Sequence, residues 1–332
     1  MNFKSVIAML CAGSMPAWAA NNASVQAPMT GYIFDPQARA VRPMIGMPGG
    51  AYLGTPIATG LDAAWVSPDG STAFAMEKGQ LTLYAGLGGA NPTGVPVNGA
   101  IAPDYFAWSP ASTGAAIYSS TTRQAQILTH TAAGFSAGMP IDLSGIAGSV
   151  SAMAFDGQRI IVAATSANAG SIYSLTAQSG PQVMASAVSP SAIALAGADL
   201  YFADKQAAQL WQVRSYATQP APVLFAADAS ISSPAALQLS SDSARLYVAN
   251  SGNQTLGVYN VSARSLAEAL PLSFSPTKLD RFGDAGVFAL NAAGGGRTPL
   301  FVLSDHLSKT TVYFVPMAGG GPVRPPVRYR PQ

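Results

Sequence analysis

Short apolar runs separated by polar breakers dominate the chain between about residues 31 and 317. The runs are four to seven residues long, and Gly, Pro, Ser, Asp and Asn residues punctuate the sequence between them. An amphipathic helix would need ten or more periodic positions, so runs of this length are typical of β-strands. The pattern therefore predicts an all-β fold.

One arrangement of runs and turns returns six times along the chain. Each copy has an apolar run, a turn, a second run often carrying Tyr or Phe, a small polar loop, a third run and a weaker fourth run. The copies start roughly 40 to 46 residues apart, which is the period of four-stranded propeller blades. They begin at Asp62, Tyr105, Val150, Ser191, Ala235 and Thr277.

The segment before the first full copy, "TGYIFDPQARAVRPMIGMPGGAYLG", reads as one more hairpin. Propeller rings commonly close by combining strands from both chain ends. The hairpin, Tyr32 to Phe34 and Arg42 to Gly46, is therefore expected to supply third and fourth strands to a blade shared with "TPLFVLSD" and "TTVYFVPM". At about 41 residues per blade, residues 31–317 predict a single β-propeller of seven blades. Six blades plus an extra hairpin is the competing count.

Alanine-rich runs such as "SAIALAG" would favour helix by intrinsic propensity alone. The repeat and its flanking breakers favour strands at these positions instead. The window "SARSLAEALPL", Ser262 to Leu272, is the place where a helical turn is expected.

The stretch "VSPDGSTAFA" places Asp69 between the first and second strands of its copy. Asp156 and Asp242 occupy the same position in later copies. Pro68 fixes φ, Asp69 can hydrogen-bond its own backbone, and Gly70 takes positive φ without cost. A residue that recurs once per blade indicates a turn, whereas catalysis needs one unique place.

The copies "VSPDGSTAFAM" and "ARLYVANSGNQTLGVYNV" resemble the YVTN and WD-like β-propeller repeats of exported bacterial proteins. In that family the motifs "SPDG", "YVxN" and "xxxVxD" follow one another along a succession of strand, turn, strand, loop and strand. The resemblance covers about residues 31–317 and is specific in the first and fifth copies. It implies a toroid with a central channel, and it implies no particular activity.

The first 20 residues have the order of parts of a secretory signal peptide, with Lys4, an apolar run and an A-x-A site at Ala17 and Ala19. This predicts a secreted or periplasmic protein whose only cysteine, Cys11, leaves with the signal. Residues 21–30 read as a short linker, and residues 318–332 as an extended Pro/Arg-rich tail. No later segment is long and apolar enough to predict a membrane span.

Charged residues make up only 10% of the chain, and the net charge is +2. This balance gives no electrostatic reason to expect nucleic acid or anionic lipid as a partner. Two histidines without a spaced pair and no cysteine in the mature chain predict no zinc site. No cofactor is expected, and a monomer is predicted.

The loops between second and third strands share one rim with the connections between copies. Loops held by a rigid ring carry variable function, so polar residues there are candidate contacts for a small ligand or a protein. Asn and Asp are also good turn residues, so a purely structural role is the competing interpretation. The candidates are Asp62, Glu77, Asp104, Arg123, Asp204, Lys205, Asn250, Asn253 and Asn291.

The sequence therefore predicts an exported, non-catalytic binding scaffold. The alternative is a lactonase-like hydrolase, because propeller lactonases gather carboxylate, Asn or His ligands around a divalent cation at one mouth of the channel. Only two glutamates are present, and only Glu77 falls on a loop at that rim. "KLDRF" is the one first-strand run with charges, Lys278, Asp280 and Arg281, which indicates either a structural network or a site lining.

Overall fold

The computed structural model describes residues 28–316 apart from residues 48, 90–91, 133, 168, 284–285, 293–298 and 306–308. Regular structure in these ranges is entirely β-strand, and the strands form seven antiparallel sheets that are the blades of one β-propeller. The predicted all-β, seven-bladed fold is confirmed. No helix in the described ranges has the length and apolar character needed to cross a bilayer. The predicted signal peptide and the tail from residue 318 lie outside these ranges.

Blades 2 to 7 begin close to the starts of the six sequence copies, and in each blade the strands pair in chain order. In blade 3 two short strands, β12 (Gly134–Ala137) and β13 (Ile141–Asp142), both pair with β11 (Gln124–Thr131) and share the outermost position. Blade 2 contains β5 (Ala63–Val66), β6 (Thr72–Glu77), β7 (Gln80–Ala85) and β8 (Gly94–Pro96). Blade 3 contains β9 (Tyr105–Trp108), β10 (Gly114–Ser119), β11 (Gln124–Thr131), β12 (Gly134–Ala137) and β13 (Ile141–Asp142). Blade 4 contains β14 (Ser149–Phe155), β15 (Arg159–Thr165), β16 (Gly170–Thr176) and β17 (Gln182–Ala187).

The last three blades have four strands each. Blade 5 contains β18 (Pro190–Ala196), β19 (Asp199–Asp204), β20 (Gln209–Arg214) and β21 (Ala221–Ala226). Blade 6 contains β22 (Pro234–Leu239), β23 (Arg245–Asn250), β24 (Thr255–Asn260) and β25 (Ser265–Pro271). Blade 7 contains β26 (Asp280–Phe282), β27 (Val287–Ala289), β28 (Leu300–Ser304) and β29 (Thr311–Val315).

The N-terminal hairpin closes the ring, but as a blade of its own rather than as part of a shared blade. Blade 1 contains β1 (Met29–Asp35), β2 (Ala40–Ile45), β3 (Tyr52–Leu53) and β4 (Ala58–Thr59). The strands β28 and β29 already complete blade 7, so no outer position is left for the hairpin. The expectation that it supplies third and fourth strands is wrong, because β1 is the innermost strand of blade 1.

Arg42 holds the short outer part of blade 1 together. Both β3 and β4 pair only with β2 and have two residues each. The Arg42 guanidinium donates from Nη2 to the carbonyl of Leu53 at 3.1 Å and from Nε to that of Gly54 at 2.9 Å. Its Nη1 lies 3.0 Å from the buried Asp35 carboxylate. A side chain thus replaces part of the backbone ladder that a full third strand would supply.

The expected helical turn at Ser262 to Leu272 is wrong, because this window contains strand β25. The Asn260 side chain accepts a hydrogen bond from the backbone N–H of Ala263 at 2.8 Å, and Arg264 adopts a φ of 53°, in the left-handed region. These features form a tight turn, and the chain then pairs with the adjacent edge of β24 as strand β25. Pairing with a neighbouring strand outweighs the helix propensity of Leu, Ala and Glu.

The hydrophobic core is divided into seven clusters in the described residues, and each cluster lies at one boundary between neighbouring blades. Strand β15 shows how one strand contributes to the clusters on both of its faces. Ile160 and Val162 pack towards blade 3, while Ile161 and Ala163 pack towards blade 5. Because alternate residues point to opposite faces, a strand covered on both sides reads as a continuous apolar run.

Candidate functional site

Strand pairing brings all nine predicted candidates to one end of the ring. We call this end the connector rim: it carries the turns between second and third strands and the connections between blades. The pairing of Pro190 with Asp204 and of Pro234 with Asn250 places strand ends of neighbouring blades there. Asn168, a further rim residue of the sequence pattern, lies outside the described residues.

Three of the candidates are buried and hold the backbone of their own rim loops. Asp204 is 2% exposed and accepts hydrogen bonds from the backbone N–H groups of Val188, Ser189 and Ala207 at 2.6 to 3.1 Å. Asn250, fully buried, accepts one from the backbone of residue 232, and Asn291 bridges residues 299 and 301. Buried polar groups of this kind must be paired, and these are. Their side chains are committed to the loops.

Asp104 and Asp62 are more exposed but also have protein partners. Asp104 accepts hydrogen bonds from the hydroxyl and the backbone N–H of Ser120, and these bonds lower the pKa of its carboxyl. Asp62 forms an ion pair with Arg39, and both side chains are more than half exposed. Exposed pairs of this kind contribute little to stability.

Glu77 is partly buried at the end of β6, where it accepts a hydrogen bond from the Tyr84 hydroxyl at 2.9 Å. Burial, together with the neighbouring Glu77, raises the pKa of Tyr84 to about 12. Lys78 lies 3.7 Å from the same carboxylate. Glu77 is therefore part of a local network rather than an isolated carboxylate.

Of the remaining three candidates, two make structural hydrogen bonds and one is exposed. Arg123 donates to the carbonyl of Ile146, and Asn253 donates to that of Ser230 at 3.1 Å. Lys205 is exposed beside the buried Asp204. The connector rim thus presents a few exposed side chains on loops whose backbone is held by hydrogen bonds from buried side chains.

The opposite end, which we call the turn rim, carries the turns between first and second strands. Asp69 accepts hydrogen bonds from the backbone N–H and the hydroxyl of Ser71 at 3.0 and 2.9 Å, and Gly70 has a φ of 71°. Asp156 and Asp242 accept the same type of backbone bond two residues on. The prediction that these aspartates form turns is confirmed.

A repeated cross-blade contact at the turn rim was not predicted from the sequence. The loop between third and fourth strands of one blade reaches back to the preceding blade. Tyr216 donates to Asp156 at 3.0 Å, Arg264 to Gln212 at 2.6 Å, and Asp305 lies 2.8 Å from Arg245. Each copy uses different residue types for this contact, so the repeat pattern carried no signal for it.

The first strands of all seven blades surround a central channel with a volume of about 940 Å³. Each of these strands pairs with only one neighbour, so its other edge faces the channel. The wall therefore offers backbone N–H and C=O groups that lie outside the ladders of the sheets. A channel lined in this way favours polar, hydrogen-bonding occupants.

Small side chains line the channel at blades 4 to 6. Ser151 and Ser191 lie in β-bulges, and their hydroxyls donate to the carbonyls of Pro190 and Pro234 in the following blade at 2.5 and 2.7 Å. A bulge re-aims a side chain, which here turns each serine towards the next blade. These hydrogen bonds join blade 4 to blade 5 and blade 5 to blade 6.

Aromatic residues line the channel at blades 2 and 3. The rings of Trp65 and Phe106 stack at 4.9 Å between centroids with an interplanar angle of 11°. Trp108 lies 5.5 Å from Phe106 and donates its indole N–H to the carbonyl of Trp65 at 3.2 Å. Both tryptophans line the channel and are partly exposed.

Charge in the channel wall is concentrated on β26 and the residues just before it. Lys278 pairs with Asp280, whose side chain is 64% exposed. Arg281 donates to the carbonyl of Leu239 at 3.1 Å and lies over the ring of Phe288. The predicted structural network is therefore present, since Arg281 joins blade 7 to blade 6, and Asp280 also lines the channel.

The described residues contain no cluster of three or more His, Cys, Asp or Glu side chains that could hold a metal ion. His130 is exposed on β11 and packs edge-on against Phe135. His306 lies outside the described residues.

No protein-family model and no curated protein matches this sequence. Solved structures do match it. A protein from Lactobacillus plantarum is 14% identical with a TM-score of 0.60, over 87% of this chain and 96% of that one. A candidate 6-phosphogluconolactonase from Bacteroides fragilis is 10% identical with a TM-score of 0.58, over 86% and 92%. A functionally unknown protein from Desulfotomaculum acetoxidans is 14% identical with a TM-score of 0.58, over 87% and 100%.

The likeness is one of fold. Propellers with these levels of identity host unrelated functions. The three structures therefore support the seven-bladed ring of this chain and leave its activity to be argued from its own residues.

Proposed function

We propose that this chain is an exported, non-catalytic β-propeller that binds a small ligand or a protein at its connector rim and central channel. The observation that carries the proposal is the use of rim side chains as structural supports. The Asp204 carboxylate accepts hydrogen bonds from three backbone N–H groups, and Asn250 and Asn291 fix their loops in the same way. A rim held rigid from beneath is suited to presenting fixed contacts to a partner.

The same commitments argue against catalysis at the rim. A general base must reach the proton it abstracts, and a metal ligand needs free lone pairs. The Asp104 carboxylate accepts two hydrogen bonds from Ser120, and the lowered pKa keeps it ionised and weakly basic. Glu77 is engaged by Tyr84 and Lys78.

The channel supplies the groups that a small polar ligand needs. Free strand edges offer donors and acceptors, the exposed Asp280 carboxylate with its partner Lys278 adds one acceptor and one donor, and Trp65 and Trp108 offer apolar surface. Sites with apolar walls and a few convergent polar groups are typical of small-molecule binding.

Export is proposed on the sequence of the first 20 residues. A mature chain without cysteine is compatible with an oxidising compartment, because it contains no thiol to be oxidised. Protein recovered from the periplasm or medium should begin after Ala19 or Ala20, which N-terminal sequencing determines. An intact Met1 in the exported fraction would contradict the proposal.

The binding role is tested on protein purified from the periplasm. Native mass spectrometry under gentle conditions detects a co-purifying small molecule, which is then titrated back while tryptophan emission is followed. A channel ligand should change the emission of Trp65 and Trp108. Lys278→Met should weaken the affinity for this ligand about tenfold, because one charged hydrogen bond is lost. Lys309→Met is the matched control, since it removes an exposed lysine from the loop between β28 and β29, outside both the connector rim and the channel lining.

A lactonase-like hydrolase is the competing function. It predicts a stoichiometric divalent ion in the purified protein and turnover of a lactone that stops on chelation. Metal analysis and a lactone hydrolysis assay on the same preparation separate the two functions. A bound ion with metal-dependent turnover would overturn the non-catalytic proposal.

A further inference from the structure

Three phenylalanines form a contiguous surface at the connector rim, at the outer corner between blades 6 and 7. The Phe274 ring stacks on Phe301 with 3.8 Å between centroids and an interplanar angle of 12°. Phe301 pairs across the strands with Phe314, whose side chain is 64% exposed. We call Phe274, Phe301 and Phe314 the aromatic patch. Leu270 and Leu272 flank it and are partly buried.

The position of the aromatic patch links it to the C-terminal segment. Strand β29 ends at Val315, one residue beyond Phe314, and the described chain ends at Pro316. The 16 residues that follow lie outside the described ranges. Their sequence is Met-Ala-Gly-Gly-Gly followed by "PVRPPVRYRPQ". A proline-rich segment therefore begins within a few residues of an exposed aromatic surface.

We propose that residues 322–331 turn back and bind the aromatic patch of the same molecule in the polyproline II conformation. Proline-rich segments with the P-x-x-P spacing dock on aromatic-lined surfaces because the extended helix is already ordered and loses little entropy. Pro322 and Pro325 have that spacing. This inference does not depend on what the channel binds.

Charge and reach both favour this occupant. Arg324, Arg328 and Arg330 can lie over phenylalanine faces, which attract cations. Glu268 is exposed on β25, on the same face of the strand as Leu270, which flanks the patch, and its carboxylate complements the charge of these arginines. Five residues lie between Pro316 and Pro322 and let these prolines be at most about 20 Å apart, and three glycines among the five permit the chain to reverse.

Limited proteolysis of the full chain tests the proposal. Trypsin cuts after Arg328, whereas Arg324 and Arg330 precede proline and resist cleavage. Mass spectrometry of the C-terminal fragment gives the cleavage rate for the parent and for Phe314→Ser. We expect cleavage about fivefold faster in Phe314→Ser, because the rate follows the population of undocked tail.

Two further variants make the result specific. Val95→Ser removes a similarly exposed apolar side chain from the outermost strand of blade 2 and should leave the cleavage rate unchanged. Phe314→Tyr keeps the ring and should keep the protection. Unfolding midpoints in urea show whether Phe314→Ser leaves the fold intact, as expected for an exposed position.

Equal cleavage rates in the parent and in a folded Phe314→Ser variant would overturn the proposal. Protection that disappears on dilution would also overturn it, because the tail of a second copy would then be the occupant. Protection that is independent of protein concentration and lost only with the aromatic ring supports docking within one chain.

Discussion

The hydroxyl of Tyr216 donates a hydrogen bond to Asp156 Oδ2 at 3.0 Å, across the boundary between blades 4 and 5. Burial raises the pKa of Tyr216 well above its usual value, and the nearby Asp156 carboxylate adds to this rise. Tyr216 is also part of the apolar cluster at the same boundary. One side chain thus joins two blades by packing and by a charged hydrogen bond.

Tyr216→Phe should lower the free energy of unfolding by about 1.5 to 3 kcal/mol, the usual contribution of a hydrogen bond to a charged group. The ring remains in place, so the loss reports the hydroxyl alone. Urea denaturation followed by tryptophan emission measures it. Tyr52→Phe, at a half-exposed tyrosine on β3, is the control and should change stability by less than about 0.5 kcal/mol. Equal effects of the two substitutions would show that the cross-blade bond is unimportant.

Arg42→Leu should destabilise the ring by about 3 to 5 kcal/mol, because it leaves the buried Asp35 carboxylate without its cation. It also removes the hydrogen bonds to the carbonyls of Leu53 and Gly54 that hold the outer part of blade 1. Thermal unfolding measures the loss.

Two further variants show why Arg42→Leu lowers stability. Adding Asp35→Asn should recover part of the stability, since the buried charge is then gone. Asp62→Asn breaks the exposed pair with Arg39 and should cost less than about 1 kcal/mol. A mild effect of Arg42→Leu would mean that blade 1 does not depend on this side chain.

Phe74 is fully buried at the centre of the aromatic cluster between blades 2 and 3, with ring centroids of Phe106, Trp108 and Phe135 at 5.0 to 5.4 Å. Phe74→Ala should cost about 3 to 5 kcal/mol through lost burial and the resulting cavity. Tryptophan emission should shift to the red as water approaches Trp108. Val95→Ala, at an exposed site of blade 2, should stay within about 0.5 kcal/mol of the parent. Unchanged emission and stability in Phe74→Ala would contradict this account of the boundary.

Stability should fall in acid because turn and rim aspartates have lowered pKa values in the folded chain. Burial raises the pKa of Asp69, but hydrogen bonds from Ser67, Ser71 and Ser112 outweigh it and lower the value. Hydrogen bonds from Ser240 and from the backbone of residue 244 lower the pKa of Asp242. A lowered folded pKa gives stability that is present above the unfolded value of about 4 and is lost as the pH falls through the folded value.

Urea midpoints measured between pH 7 and pH 2.5 test this dependence. The parent should hold its midpoint down to about pH 4 and then lose stability. Asp69→Asn should make the acid limb shallower, since one of the groups that takes up a proton is removed. An acid limb of the same steepness in Asp69→Asn would exclude this aspartate as a cause.

Most of the ring could be predicted from local pattern because each blade repeats the same short-range chemistry. The Pro68-Asp69-Gly70 turn, the six copy starts and the strand assignment of the alanine-rich runs all depend on neighbours in sequence. Blade 1 was placed wrongly because its third and fourth strands have only two residues each and Arg42 takes over part of their role. That substitution depends on contacts that no repeat encodes.

The sequence pattern placed the nine candidate residues at one end of the ring, but the contacts that their side chains make could not be predicted. Asp204 and Asn250 have the same residue types as exposed turn residues, and only the packed loops show that they are buried. The channel and the cross-blade contacts arise when the ring closes, so their residues come from strands that are distant in sequence. Ser191 and Pro234, for example, meet across 43 residues.

The way the ring closes has a mechanical consequence. Among the described residues no hydrogen-bonded ladder joins the last blade to the first, and the two blades meet through apolar contacts such as those of Ile33 with Phe282 and its neighbours. Closure of the ring therefore depends on side-chain packing, so its two ends can separate without the loss of a hydrogen bond within any sheet.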